Sequence, residues 1–259
     1  MSCRAVSIRT KLLGLLLSGV LGLLPVWADA ETPTAPSDPA FQQAVEQVVE
    51  QYIRAHPEVI EQTLQALQTK REAEERERVS NLIATKQAEL LNDPNSPVSG
   101  NPDGDVTVVE FFDYRCGYCK RVAGAVTQLQ QDDPNIRVVY KDFPILGEAS
   151  VLAASAALAS KAQGKHLAFH EALLASEEEL NQETIFVLAT AVGLDTEKLH
   201  KDMESPSIQT TIGRNRALAR ELGINGTPGF IIGTELVPGA LDLKDLKNLV
   251  RQIRDEKSK

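Results

Sequence analysis

Two cysteines separated by two residues, in the run Cys116-Gly117-Tyr118-Cys119, have the residue types and spacing best suited to chemistry. The third cysteine of the 259-residue chain is Cys3. In a chain so poor in cysteine, a close pair is reactive or metal-binding rather than part of a disulfide scaffold. The pair follows Val106 to Phe112, a β-branched and aromatic run suited to a buried strand, and opens a helix expected to run to about Gln130. N–H groups of the first helical turn and the helix dipole favour a thiolate at Cys116. Cys119 lies one turn deeper, within disulfide reach. That arrangement makes Cys116 the nucleophile toward substrate disulfides and Cys119 the thiol that resolves the mixed disulfide, with no cofactor beyond the redox-active Cys116–Cys119 disulfide.

Two further features support redox chemistry. Glu110 is a carboxylate within the apolar run Val108 to Phe112; burying it is costly, so it is expected to accept a proton near Cys119, against the alternative of an exposed strand position. Gly226-Thr227-Pro228 directly precedes a strand at Phe230. A cis Thr227–Pro228 bond facing the cysteines would leave main-chain groups free to pair with an extended substrate, and the Thr227 hydroxyl is expected to donate to a sulfur. The rival is half of a zinc site completed by His166 and His170 at i,i+4. The 46 residues between Cys119 and His166 are not finger-like, and no second CxxC exists, so no metal is assigned. Both histidines are expected as surface and packing residues of an ordinary helix. His56 and His200 receive no role, and copper(I) capture by the dithiol is chemically allowed.

The elements that must position these residues follow from periodicity. Ile136 to Asp142 reads as a second strand, giving a right-handed βαβ unit with the cysteine helix. Helices are expected over Glu148 to Gln163, His166 to Ser176, Glu183 to Val192, Thr196 to Met203 and Ser207 to Leu222. A hairpin follows around Gly233, and a closing helix over Asp242 to Arg254 has Asp242 as N-cap. The fold class is therefore α/β. Upstream, Phe41, Val45, Val48, Val49, Tyr52 and Ile53 recur at helical spacing, and a second helix starts at Pro57. Lys70 to Arg78 is a solvated, charge-alternating stretch; Val79, Leu82, Ile83, Leu90 and Leu91 resume the apolar pattern, and Asn92 to Pro97 reads as a linker. The narrow stripe must be buried against something, either the chain's own domain or a second protomer.

Arg4, Arg9 and Lys11 precede the leucine-rich run Leu12 to Leu24 and then Ala28-Asp29-Ala30, the pattern of a signal peptide over residues 1–30. The run is too short to span a bilayer, and its removal takes Cys3 with it. Hydrophobic residues at 42% and charged residues at 24% are globular values, and a net charge of −9 argues against nucleic acid as a partner.

The run Val109-Glu110-Phe111-Phe112-Asp113-Tyr114-Arg115-Cys116-Gly117-Tyr118-Cys119-Lys120, with Thr227-Pro228, resembles the DsbA family of exported thiol-disulfide oxidoreductases. His56-Pro57-Glu58-Val59-Ile60 and the linker Asn92 to Gly104 resemble its ScsC-like and outer-membrane immunogenic DsbA-like branch. The resemblance implies a thioredoxin fold over residues 93–259 with a helical insertion at about 147–222, preceded by an all-helical leader over 31–92. It implies Cys116 as nucleophile, Cys119 as resolver, Glu110 as buried acid and Thr227-Pro228 as the cis-proline loop. It also implies a homodimer or homotrimer through residues 40–92, a periplasmic location with or without outer-membrane association, cysteine-containing exported substrates and a membrane redox partner. Gly117, Tyr118 and Thr227 depart from the strongly oxidising pattern of Pro-His between the cysteines and Val before the proline, and lie closer to the isomerases. The expectation is an exported oxidoreductase that isomerises or reduces, and can oxidise, protein disulfides. The alternatives are a DsbA-type oxidase and a non-enzymatic envelope scaffold or copper-binding protein.

Overall fold

The computed structural model describes residues 38–258; the expected signal peptide lies outside them. The described chain divides into two compact units between Thr63 and Leu64.

In the first unit, Asp38 caps helix α1 (Pro39–Ala55), accepting the Ala40 N–H at 2.9 Å. The helix stops at His56 because Pro57 cannot donate to a preceding turn, and Pro57 then opens α2 (Pro57–Thr85), a first-turn position where no N–H is needed. No residue of α1 is buried; Phe41, Val45, Val48 and Tyr52 all stay exposed.

The second unit is built on a five-stranded sheet. Its strands are β1 (Val98–Gly100), β2 (Val106–Phe112), β3 (Ile136–Asp142), β4 (Gly229–Ile232) and β5 (Glu235–Pro238), in the order β1-β3-β2-β4-β5. Only β2 and β3 are parallel, joined by helix α4 (Gly117–Asp132), which is the expected βαβ unit. Alternation along β2 sorts the core. Val106, Val108 and Phe112 face a cluster shared with α4 and the C-terminal helix α10 (Leu243–Lys257), whose N-cap Asp242 accepts the Asp245 N–H. Val109 and Phe111 face a second cluster, filled by Val79 and Ile83 from the end of α2 and Leu90 from α3 (Gln87–Leu91). The end of the leader is thus core of this unit.

Between β3 and β4 the chain forms α5 (Glu148–Ser160), a 3-10 turn, α6 (His166–Ala175), α7 (Gln182–Ala191), α8 (Thr196–Met203) and α9 (Pro206–Glu221). Asn181 and Asp195 cap α7 and α8 through their side chains. Alternating sheet and helical insertion make this a thioredoxin fold of the DsbA type. Among the described residues no helix is long and apolar enough to cross a membrane.

Strand β1 corrects the linker reading of residues 92–104. It pairs with β3, Val98 opposite Val139, and ends at Gly100, whose positive φ and contact with the Ile136 carbonyl exclude a Cβ. The approach to it is held by Lys141, fully buried, whose Nζ donates to the Glu89 carbonyl at 2.6 Å and Ser96 Oγ at 2.7 Å and lies 3.8 Å from an Asp93 oxygen. Burial pushes this ammonium down to about 8 from the ordinary lysine value. Lys141→Ala leaves two polar groups unpartnered and a cavity, and is expected to cost about 2–4 kcal/mol in urea unfolding at pH 7. Between about pH 8 and 10.5 the unfolded chain holds this proton and the folded chain does not. The parent's stability therefore gains a rising component across that window, which the variant lacks.

Candidate functional site

Cys116 is the N-cap residue of α4, with extended φ −74° and ψ 115° and no side-chain capping bond. Its sulfur is therefore left at the open end of the helix rather than used to cap it. Cys116 keeps 7% of its surface exposed while Cys119, one turn inside α4, keeps none. Both are free thiols in this structure. Gly117 leaves open space where a side chain would stand, and Tyr118 is 58% exposed with the Arg121 guanidinium 4.9 Å from its ring centroid. The entrance to the sulfur is thus bounded by a ring and a cation and is clear at Gly117.

The Thr227–Pro228 peptide is cis and its loop meets the first cysteine: Cys116 Sγ donates to the Thr227 carbonyl oxygen at 3.1 Å. The link differs from the expected one. The thiol is the donor and the main chain the acceptor, so the Thr227 hydroxyl is not the group joining loop and sulfur. Directly after Pro228, β4 pairs with β2 and places Phe230 opposite Glu110.

Glu110 is 2% exposed and shares the sheet face of Val108 and Phe112, the face against which Cys119 packs. Burial raises its carboxyl to about 8, so it holds a proton at neutral pH. Burial also drives the Cys119 thiol well above its ordinary range; a main-chain hydrogen bond at Asp113 works against this and the charge of Glu110 adds to it. A buried acid and a buried thiol therefore sit within each other's field, each disfavouring the other's charge.

Sequence reasoning gave Asp113 no role, yet its carboxylate organises the entrance. Oδ1 accepts the Arg115 N–H at 2.8 Å, and Oδ2 accepts the N–H groups of Ile145 at 2.8 Å and Leu146 at 3.0 Å. Arg115 Nη1 completes the clasp by donating to the Leu146 carbonyl at 2.6 Å. An aspartate two residues before a residue whose N–H it accepts is a turn signal, and that was the only clue available. The two helix-borne histidines also depart from expectation, since both are buried. Tyr114 OH lies 3.0 Å from His170 Nδ1, and Phe112, Tyr140 and His166 pack around them. Burial pushes His166 down to about 3 and His170 far below its ordinary value, so both rings are neutral. Among the described residues no group of three His, Cys, Asp or Glu is placed to hold a metal ion. Asp142, at the end of β3, is a second buried acid, raised to about 8 by burial, and neither of its oxygens has a hydrogen-bond partner.

Comparison with known proteins places this geometry. A model of the DSBA-like thioredoxin domain matches residues 107–251, which include both cysteines, the cis-proline loop and the helical insertion. A model of the copper resistance protein ScsC N-terminal domain matches residues 42–74. A thioredoxin-like oxidoreductase from Silicibacter pomeroyi DSS-3 is 50% identical with a TM-score of 0.64, covering 65% of this chain and 97% of that one. The thiol-disulfide exchange protein α-DsbA2 from Wolbachia pipientis is 34% identical with a TM-score of 0.65, covering 69% and 97%. A linker-deletion mutant of Proteus mirabilis ScsC is 27% identical with a TM-score of 0.67, covering 86% and 99%. The chain spans about a quarter of the length of the curated relatives it matches, which are Na(+)/H(+) antiporter NhaA proteins. That of Mycobacterium sp. (strain KMS) is 27% identical over 154 residues, 58% of this chain and 25% of that one. With one model matching more than half of its length, the chain belongs to the family of DSBA-like thioredoxin domains.

Proposed function

We propose that this chain is a periplasmic thiol-disulfide oxidoreductase that isomerises or reduces, and can oxidise, protein disulfides through Cys116 and Cys119. One observation carries the reading: Cys116, nearly buried at the N-cap of α4 with its thiol not used as a cap, has the fully buried Cys119 one turn behind it. In the reducing direction the Cys116 thiolate attacks a substrate disulfide, forming a Cys116–substrate bond and expelling one substrate thiolate. Cys119 then loses its proton, attacks Cys116 and releases the second thiolate. Two electrons and two protons pass to the substrate, leaving the Cys116–Cys119 disulfide for a membrane-bound dithiol partner to reduce. In isomerisation a second substrate thiol resolves the mixed disulfide, and the protein returns to the dithiol without net redox change.

Glu110 serves the Cys119 step. In its ionised form it accepts the Cys119 proton inside a site that excludes water. The Thr227 carbonyl has a second use: once Cys116 is bonded to substrate it has no proton to donate, and the carbonyl is released to accept an N–H from an extended substrate segment. Gly117 and Tyr118 leave room for that segment. The basic, leucine-rich and small-residue start of the chain supports export. The unburied apolar stripe of α1 supports association of two or three copies, which places several dithiols on one particle, as isomerisation favours.

Three outcomes test this reading. Cys119→Ala accumulates mixed disulfides with client proteins on non-reducing gels and Cys116→Ala accumulates none; equal trapping by both removes the assignment. For Glu110, the folded value near 8 against an unfolded value of 4.5 means that the folded chain keeps a proton the unfolded chain has lost, so stability falls as pH rises between them. Urea titrations of Glu110→Gln and the parent should therefore show the variant's relative stability about 3 kcal/mol higher at pH 7 than at pH 4. The same variant should resolve mixed disulfides about tenfold more slowly, and an unchanged resolution rate denies Glu110 its proton-transfer role. Finally, Val48→Lys with Tyr52→Lys lowers the light-scattering mass of the mature protein and reduces isomerase activity without altering simple dithiol turnover; a parent already monomeric rules out association through α1.

A further inference from the structure

The helical insertion carries a groove that the dithiol chemistry does not use. It lies among α5, α7 and α8 as two adjoining depressions of about 490 and 460 Å³ that share Gln182, Phe186 and His200. Val151, Leu152, Phe186 and Met203 line its apolar part, and Val187, 63% exposed, stands at its outer lip. The Phe186 ring packs edge-on to His200 at 5.8 Å, which holds the floor in place. Four carboxylates, Glu148, Glu183, Glu197 and Glu204, line the two depressions, and no lysine or arginine does. Three of them fall in the first turns of α5, α7 and α8, where the helix dipole favours negative charge. Glu204 stands between two helix ends, as the C-cap of α8 and the residue before Ser205, the N-cap of α9, so the two dipoles oppose one another there.

One end of the groove, at Glu148, lies beside the turn that carries Cys116. Glu148 follows Gly147, where an added Cβ would meet Arg115 Nη1 at 3.7 Å, and Arg115 precedes Cys116. From Glu148 to Ser155 the groove follows about 10 Å of α5, a length spanned by about three residues of extended chain.

We propose that this groove binds a cationic, apolar segment of the client polypeptide, its Leu- or Phe-type side chain seated against Phe186 and Met203 and its Lys or Arg side chains at Glu148 and Glu204. It is an affinity site for the segment flanking the reactive cysteine. The proposal rests on the oxidoreductase reading for its redox arm alone.

Two peptides carrying the same intramolecular disulfide, one untailed and one extended by Leu-Lys-Phe-Lys-Lys, test it in turnover with the full mature protein. The tail should lower KM about tenfold with kcat unchanged, and a Leu-Glu-Phe-Glu-Glu tail should not. Glu204→Lys and Phe186→Ser should each abolish the tail's advantage while leaving the untailed peptide at the parent's rate. Glu204→Lys should at the same time leave thermal stability at the parent's value, because the opposed ends of α8 and α9 favour neither charge at that position; loss of the tail effect through misfolding would lower it. Equal KM for all peptides, or a tail effect that survives both variants, overturns the proposal. Calorimetric titration of a cysteine-free Leu-Lys-Phe-Lys-Lys peptide reads the groove independently of redox activity. Binding abolished by Glu204→Lys supports the groove even if the disulfide peptides are not turned over, and absence of binding refutes it even if they are.

Discussion

The catalytic end of the molecule depends on one carboxylate, that of Asp113, gathering three main-chain N–H groups from two separate segments. Strand β2 ends at Phe112 and α4 begins at Gly117, so the four residues between must reverse the chain and present Cys116 at the helix end. Asp113 fixes that reversal from the inside. By also binding Ile145 and Leu146 it fastens the start of the helical insertion to the turn that carries Cys116. A hydrogen bond of this kind contributes roughly 0.5–1.5 kcal/mol net, and leaving a buried carboxyl without its partners costs more than that.

Around this clasp the sheet and helices enclose an unusual number of ionisable groups. Glu110 and Asp142 on β2 and β3, and His166 and His170 on α6, are all buried, and burial drives each toward its neutral form. The acids' contribution to stability is lost as pH rises from about 4 to about 8, and the histidines' is gained as pH rises through the acid range to about 6.5, so together these four groups favour the folded chain most on the acid side of neutrality. Glu110 is distinguished from the others by its place on the face that Cys119 packs against, and under the proposed function it is its ionised form that takes the thiol proton.

Much of this was legible in the residues. The apolar run of β2, the dithiol at the next helix start, the alternation of β3 and the Asp242 cap each express a local rule that tertiary context did not override. Glu110 was legible for the opposite reason, as a charge where the pattern demanded none. Strand β1 was not, because Val98, Ser99 and Gly100 directly after Pro97 read as part of a linker; only pairing with β3 makes them a strand. Lys141 and Asp142 resembled the polar end of a strand, and nothing local indicates that the approach to β1 will cover one and α9 will reach the other, where Asn215 donates to the Asp142 carbonyl at 3.1 Å. The carboxyl-terminal half of the leader misled in a similar way: Val79 and Ile83 fit a self-association stripe and a sheet-covering helix equally well, and the sheet claims them.

The outer strands of the sheet have a bearing on what such a protein handles. A chain that holds unfolded polypeptides by their cysteines is exposed to strand addition along any open sheet edge, the route by which partly folded chains aggregate. Both edges here are short and interrupted. β1 has three residues and stops at a glycine, and β5 has four, begins with a glutamate and stops at Pro238, which has no N–H to offer. Under the proposed function, an extended client segment accepted by the Thr227 carbonyl would find no long ladder at either edge on which to register, and would be released without its assembly being templated.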